Sequence, residues 1–364
     1  MLSALALLGF LISINSTTVE VSKSYTTKVK AANYMKQSME LLKSTRMVSG
    51  IFVDDENDPN ETGLVGSPFS LITTDEGDLD AKLTTLDPNF AAGMVELMDQ
   101  LGLQKNDTVA VLVTGSMPGA NMAVLSALKA MEVYPVTITS VGASQWGANQ
   151  VDFTWLDMEK ILHANQLISS RSISASIGGR NDMGRLLSPA GRAIITENIE
   201  KHGMPLIKKT KLAENIALRM KTFEDIADIK NYKAMINVGG GVASLGTSFN
   251  SKLLPAGIIR RSDIQNISLQ DGGIEGVLPK FSKNNIPVLH ILNIKSLTEQ
   301  LGMPFAPIPL PEIGVGSLYA IERYNLLIAF ICLSVICGSV FIVGYQSKKE
   351  IKEHLVNHEP DSLL

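Results

Sequence analysis

The chain has 364 residues, 45% of them hydrophobic and 19% charged, enough apolar material for one large core or two small ones and too much for a disordered chain. The formal net charge is -4, and the body of the chain has no lysine or arginine run able to track a phosphate backbone, which argues against a nucleic acid partner. Both cysteines, Cys332 and Cys337, fall in the apolar C-terminal segment, so the globular region has no disulfide, and cysteine usage leaves the compartment open.

In chain order, Leu2 to Ile14 is apolar but short. It has no basic residue before it and runs into Asn15 to Thr18 without a small-residue cleavage site. Residues 1–21 therefore read as an uncleaved membrane anchor, with a secretory signal as the alternative. From Val19 to Arg46, Tyr34, Met35, Met39 and Leu42 recur at helical spacing and predict an amphipathic stalk. DDENDPNETG, Asp54 to Gly63, reads as an exposed acidic loop, so residues 22–83 are stalk and loop. A globular region is expected over 84–303, with a split into two subdomains near 205–230 left open.

Within that region Asp87-Pro88 starts a helix that ends near Gly102. Val109 to Thr114 (VAVLVT) is a strand apolar throughout, Ala120 to Met131 a helix, Val136 to Ser140 a strand, Trp155 to Gln166 a helix and Ile173 to Ile177 a strand. Pro189 to Lys201 is a helix capped by Ser188, Leu212 to Ala227 another helix, and Ala234 to Val238 and Val288 to Ile294 are strands. The alternation predicts the α/β class: a mostly parallel, doubly wound sheet with helices on both faces, plus N-terminal and C-terminal membrane helices.

MPFAPIPLPEIG, Met303 to Gly314, makes residues 304–323 a proline-rich lead. Tyr324 to Tyr345 carries no charge over a length that spans a hydrocarbon core of roughly 30 Å, with a tyrosine at each end and Arg323 and Lys348 outside them. It reads as a transmembrane helix. Lys348, Lys349 and Lys352 in the charged tail, 346–364, favour a cytoplasmic C-terminus and an outside domain, whereas Lys23, Lys28 and Lys30 pull the domain inward.

In such a sheet, ligands bind beyond the carboxyl ends of the strands. The loops there are small and polar. TGSMPGAN contains Gly115, Ser116, Gly119 and Asn121; SVGASQWGAN contains Ser144, Trp146 and Asn149; GGRND contains Arg180 and Asn181; NVGGGVASLG contains Gly239, Gly240 and Gly241. Together they predict an anion-binding pocket built on backbone N–H groups and helix dipoles. Neither a Walker A loop nor a GxGxxG fingerprint occurs, and no cofactor is expected.

Ser116 is a candidate nucleophile, with Asp182 or Asp157 as candidate acid or base, but a GxSxG elbow and an activating histidine are missing. Ser116 as a helix cap, Asp182 as a turn residue and Asp157 as a helix N-terminal charge are the competing readings. Trp146 stacks either on a ligand or against the sheet. His163, His202 and His290 are scattered, and His354 and His358, four apart in the tail, lack a third ligand, so no metal site is expected.

GSMPGANMAVLSALKAM, ITSVGASQWGANQ, FTWLDME, ASIGGRNDMGRLLSP and INVGGGVASLG resemble segments of the poly-γ-glutamate system protein family, over a stretch from Thr84 to Gly246. These are bacterial membrane proteins encoded beside the ligase and membrane subunits that make poly-γ-glutamate. The N-terminus departs from the family pattern in lacking basic residues before its first apolar run. The resemblance implies a pathway role, with which a bacterial cell-membrane protein of two membrane segments fits, and export of the polymer tips the topology toward an extracytoplasmic domain. The partners expected in that pathway are the other synthesis subunits and the anionic polymer or its terminus, and the loops themselves suggest that backbone amides, Ser116, Asn121 and Arg180 would hold it. It supplies no catalytic residue. The leading expectation is an accessory subunit of synthesis or export; the alternatives are an extracytoplasmic hydrolase or transferase using Ser116, and a sensor of a small anionic metabolite.

Overall fold

The run VAVLVT lies at the centre of the sheet it predicts. Among the described residues the sheet has seven strands: β1 (Thr108–Thr114), β2 (Tyr134–Ser140), β3 (Ser174–Ser176), β4 (Leu206–Ile207), β5 (Ala234–Val238), β6 (Gly257–Ile259) and β7 (Val288–Ile291). Their order is β4-β3-β2-β1-β5-β7-β6, and every neighbouring pair is parallel except β6 with β7. The chain steps outward from β1 to β4 on one side and returns to the other side of β1 for β5, so the order reverses between β1 and β5.

Burial explains the unbroken apolar run. Val109, Val111 and Val113 enter one cluster with Met35 of the helix Tyr25–Val48, Phe90 and Met94 of the helix Asn89–Gln100, and Trp155 of the helix Trp155–Ala164. Ala110 and Leu112 enter another with Ile216 and Phe223 of the helix Leu212–Glu224 and Phe281 of the helix Val277–Lys283. A strand covered on both sides has no polar face, and fully burying each Val or Leu contributes roughly 1.5–3 kcal/mol.

The computed structural model describes residues 2–50, 54, 56–266 and 274–356, and the chain forms two compact units. One is Lys23–Tyr319, with no division near 205–230. The helix Tyr25–Val48, read from sequence as a stalk, belongs to its core: Ala31, Ala32, Met35 and Leu42 are fully buried. In the acidic loop Glu56 and Glu61 are exposed, as expected, but one carboxylate is buried. Asp58 is 1% exposed, and its carboxylate accepts from the Thr62 N–H and Oγ1 and from the Gly63 N–H at 2.6 to 3.0 Å. Arg46 donates to the carbonyl oxygens of Gly63 and Val65. Asp58 is not distinguished from its exposed neighbours in sequence, because its partners are a hydroxyl and main-chain N–H groups rather than cations.

Helix starts follow local chemistry. Ser188 Oγ accepts from the Gly191 N–H at 3.0 Å, and Thr154 with Asp157 closes a capping box. The last strand stops at Ile291 rather than Ile294, because Asn293 caps a helix, Ile294–Leu301, by accepting from the Ser296 N–H at 3.1 Å. The proline-rich stretch 303–314 holds neither helix nor strand, as expected.

The other unit is Met1–Ser22 with Ala320–Leu364. It contains the helix Leu2–Asn15, an antiparallel strand pair Thr17–Val21 with Ala320–Tyr324, and the helix Leu326–Val356. The strand pair takes the place of the helix expected from Val19 and of the end of the proline-rich lead. Asn325 starts the long helix just after Tyr324, its Oδ1 accepting from the Leu327 and Ile328 N–H groups at 3.1 and 3.2 Å. At 31 residues that helix rises about 46 Å and is long and apolar enough to cross a membrane. Leu2–Asn15, with 14 residues, rises about 21 Å, short of a hydrocarbon core of roughly 30 Å. Its Gly9 faces Ile336 so closely that an added Cβ would lie 2.9 Å from Ile336 Cδ1. His354 lies in the long helix, and His358 falls outside the described residues.

Candidate functional site

The loops after β1, β2, β3 and β5 meet at one edge of the sheet, and they pack on one another. The Gly115 N–H donates to Ser140 O at 2.9 Å, the Ala148 N–H to Gly115 O at 2.7 Å, and the Gly142 N–H to Ile177 O at 2.8 Å. Their glycines answer crowding. A Cβ on Gly115 would stand 2.2 Å from Val141 O, one on Gly119 2.5 Å from Thr85 O, and one on Gly239 2.6 Å from Thr114 Oγ1. Gly240 is exposed and Gly241 half-buried.

Segment 66–77 lies across the loop after β2. The Trp146 N–H donates to Ser67 O, the Gly66 N–H to Trp146 O, the Thr74 N–H to Ala143 O and the Gln145 N–H to Asp75 O, at 2.8 to 3.1 Å. Asn149, fully buried, clamps this segment: Nδ2 donates to Ser67 O at 2.7 Å and to Thr73 Oγ1 at 3.0 Å, while Oδ1 accepts from the Ser67 N–H at 2.9 Å. Trp146 is half-buried and packs against the first core cluster.

Ser116 Oγ accepts from the Ser144 N–H at 2.9 Å, which ties the first loop to the second. Beside them ends Lys82, from the helix Leu79–Thr85. Its Nζ donates to Ser144 Oγ at 3.0 Å, to Met117 Sδ at 3.2 Å and to Ser116 O. Lys82 is 5% exposed, and burial pushes its ammonium down to about 8 against the opposing charge of Asp78. Sequence reasoning missed this lysine; its signal is that it shares a helix face with Leu79 and Leu86, three and four residues away.

The two carboxylates read as candidate acids are held in structural networks. Asp182 makes a buried fork with Arg219, Nη1 to Oδ2 at 2.5 Å and Nη2 to Oδ1 at 3.0 Å, joined by Ser176 Oγ, which donates to Asp182 Oδ1 at 2.7 Å. Arg219 stands on the same helix face as Ile216 and Phe223, so its burial was legible in their spacing. Burial raises the Asp157 carboxyl, but hydrogen bonds from His202 Nε2, Thr154 and Asn198 Nδ2 outweigh it and hold the group well below the usual carboxylate range. Asn121 Nδ2 donates to Thr114 O at 2.8 Å. His290 of β7 is fully buried, with Nδ1 2.9 Å from Asn237 Nδ2, and burial pushes its imidazole down to about 4, leaving it neutral.

Beside these loops, next to the end of β3 and the helix Pro189–Lys201, is a cleft of about 640 Å³ lined by Asn181, Arg185, Arg192, Thr196, Glu197 and Lys208, among others. Arg192 is fixed there by donating from Nη1 to Leu187 O at 2.6 Å, while Arg185 and Lys208 are exposed. Three cations against Glu197 make this an electropositive cleft. Of the residues expected from sequence, Asn181 lines it, and Arg180 precedes it on an exposed turn. Its sequence signal is dispersed: Arg185 and Arg192 flank a helix start, and Lys208 opens the short KKTK stretch. Among the described residues no group of three or more His, Cys, Asp or Glu is placed to hold a metal ion. No family model, no curated protein and no solved structure matches the chain.

Proposed function

We propose that this chain is a membrane-anchored accessory subunit of poly-γ-glutamate synthesis or export, whose doubly wound, Rossmann-like α/β domain holds the anionic chain or its end outside the cell. The observation that carries the reading is the cleft with Arg185, Arg192 and Lys208 on its walls. Guanidinium and ammonium groups spaced along an open cleft suit a polymer that presents a carboxylate on every residue. The resemblance of the loop segments to the poly-γ-glutamate system family supports the pathway. The helix Leu326–Val356 supports the membrane location, with Leu2–Asn15 as a second, shallower attachment beside it.

Binding of fluorescein-labelled poly-γ-glutamate to the full chain in detergent, read by anisotropy, tests this. Reversing two exposed charges, Arg185→Glu with Lys208→Glu, is expected to weaken binding at least about tenfold, and added salt to weaken it further. Unchanged binding by the variant, or equal binding of a neutral dextran, would overturn the reading. Binding of free glutamate as tight as that of the polymer would identify a metabolite sensor instead. Proteolysis of the domain in intact cells is the expected result for the outside orientation.

A further inference from the structure

Lys82 and Ser144 stand apart from the electropositive cleft. Lys82 Nζ has three neighbours at hydrogen-bond range: Ser116 O, Met117 Sδ at 3.2 Å and Ser144 Oγ at 3.0 Å. Three donors are what an ammonium supplies, but two of these neighbours, a thioether and a hydroxyl, stabilise charge weakly, and the side chain is 5% exposed. A neutral amine fits the same three positions. It keeps N–H donors for Ser116 O and Met117 Sδ and turns its lone pair toward the Ser144 hydroxyl, whose O–H then donates. Asp78 is the charged group that bears on Lys82, and it favours the ammonium, while burial outweighs it and brings the group down to about 8. Both protonation states are therefore populated near neutral pH, which a general base requires.

We propose that Ser144 and Lys82 form a serine–lysine nucleophile pair that acts on an acyl carbonyl, with amide-linked polyanions as the substrate class. The base missing for Ser116 is present, and it faces the hydroxyl of Ser144 instead. In the first half of the reaction Ser144 Oγ bonds to the carbonyl carbon as its proton passes to Lys82 Nζ. The C–N bond then breaks, and the leaving nitrogen takes that proton from Lys82, leaving an ester on Ser144. In the second half water gives a proton to Lys82 and adds to the ester carbonyl, and Ser144 Oγ leaves with the proton, releasing a carboxylic acid. Ser144 is 8% exposed, while Ser116, bonded to its N–H, is half-buried and forms the solvent side of the pair. Segment 66–77, crossing the same loop, is the cover a substrate must displace.

The substrate class rests on the polymer reading above; the nucleophile does not, and the two fail separately. The full chain in detergent is treated with a fluorophosphonate, on which Ser144 Oγ bonds to phosphorus, fluoride leaves and Lys82 takes the proton. Mass spectrometry is expected to place the adduct on Ser144, with a labelling rate about tenfold higher at pH 9 than at pH 7 for a base titrating near 8. Lys82→Arg, which keeps the positive charge but removes an accessible neutral amine, is expected to lower the rate at least about a hundredfold with an unchanged circular dichroism spectrum. An unlabelled wild-type protein, an adduct on Ser116, or Lys82→Arg labelled at the wild-type rate would each overturn the pair. Polymer binding left unchanged in the Arg185 and Lys208 variant, with Ser144 labelling intact, would overturn only the polymer reading.

Discussion

Glu159 is fully buried on the helix Trp155–Ala164, where Ser172 Oγ donates to its Oε1 at 2.8 Å and in turn meets Thr139 Oγ1 of β2 at 2.7 Å. Burial pushes its carboxyl up to about 7, against the hydrogen bonds from Ser172 and the charge of Arg171. The folded state thus holds a proton that the unfolded chain releases near 4.5, so this group's contribution is complete below about pH 4.5 and is lost as pH rises toward 7. Asp157 works in the opposite sense and in a lower window: its depressed carboxyl contributes above its ordinary value of 3.8, and that contribution is lost as pH falls below it. Glu159→Gln keeps the shape and the Ser172 contact. Denaturant unfolding of wild type is expected to lose about 3 kcal/mol relative to this variant between pH 4.5 and 7.5; a difference that does not change with pH would contradict it. Nothing in FTWLDME distinguishes the exposed-looking Glu159 from Asp157, because their different fates depend on Ser172 and His202, residues placed by other elements.

At the scale of elements, legibility followed local chemistry. β5 matches its expected bounds because AMINV, apolar except for Asn237, is buried throughout, and the helix Pro189–Lys201 matches because Ser188 and Pro189 mark its start. β4, two residues beside a lysine stretch, and β6, an antiparallel edge strand after a glycine, carry too little pattern to be read. The loops, expected to form a pocket, pack on one another. Glycine-rich turns look open in sequence, yet here they allow main chains to approach, and Asn149 fastens segment 66–77 over them. Asn149→Ala removes three side-chain hydrogen bonds at a fully buried position, at a cost of roughly 1–3 kcal/mol. Hydrogen exchange in 66–74 is expected to speed up at least about tenfold in this variant, with β1 and β5 unchanged; uniform acceleration would mean that the segment is not an independently opening element.

For the whole molecule, the helix Leu326–Val356, long and apolar enough to cross a membrane, was the most legible feature, since a long uncharged run stands out in any sequence. The stalk was misread because amphipathic spacing is the same for a helix covering a sheet as for one leading away from a membrane. All three hydrophobic clusters draw their residues from Lys23–Tyr319 alone. A fragment of those residues is therefore expected to remain in solution and melt cooperatively by circular dichroism, whereas the full chain resists alkaline extraction from membranes. A fragment that aggregates or melts without a transition would show that the terminal unit is needed for folding.

The small strand pair of that terminal unit sets an order in time. Thr18 Oγ1 bonds to Arg323 O across 305 residues of chain, so no part of this ladder exists until the segment Ala320–Tyr324 has left the ribosome. Loop-closure cost grows only logarithmically with length, so a prior collapse of Lys23–Tyr319 spares the ladder most of the search for its partner. Until then Thr17–Val21 lacks the partner that pairs it in the folded chain, and an unpaired edge is open to wrong pairing.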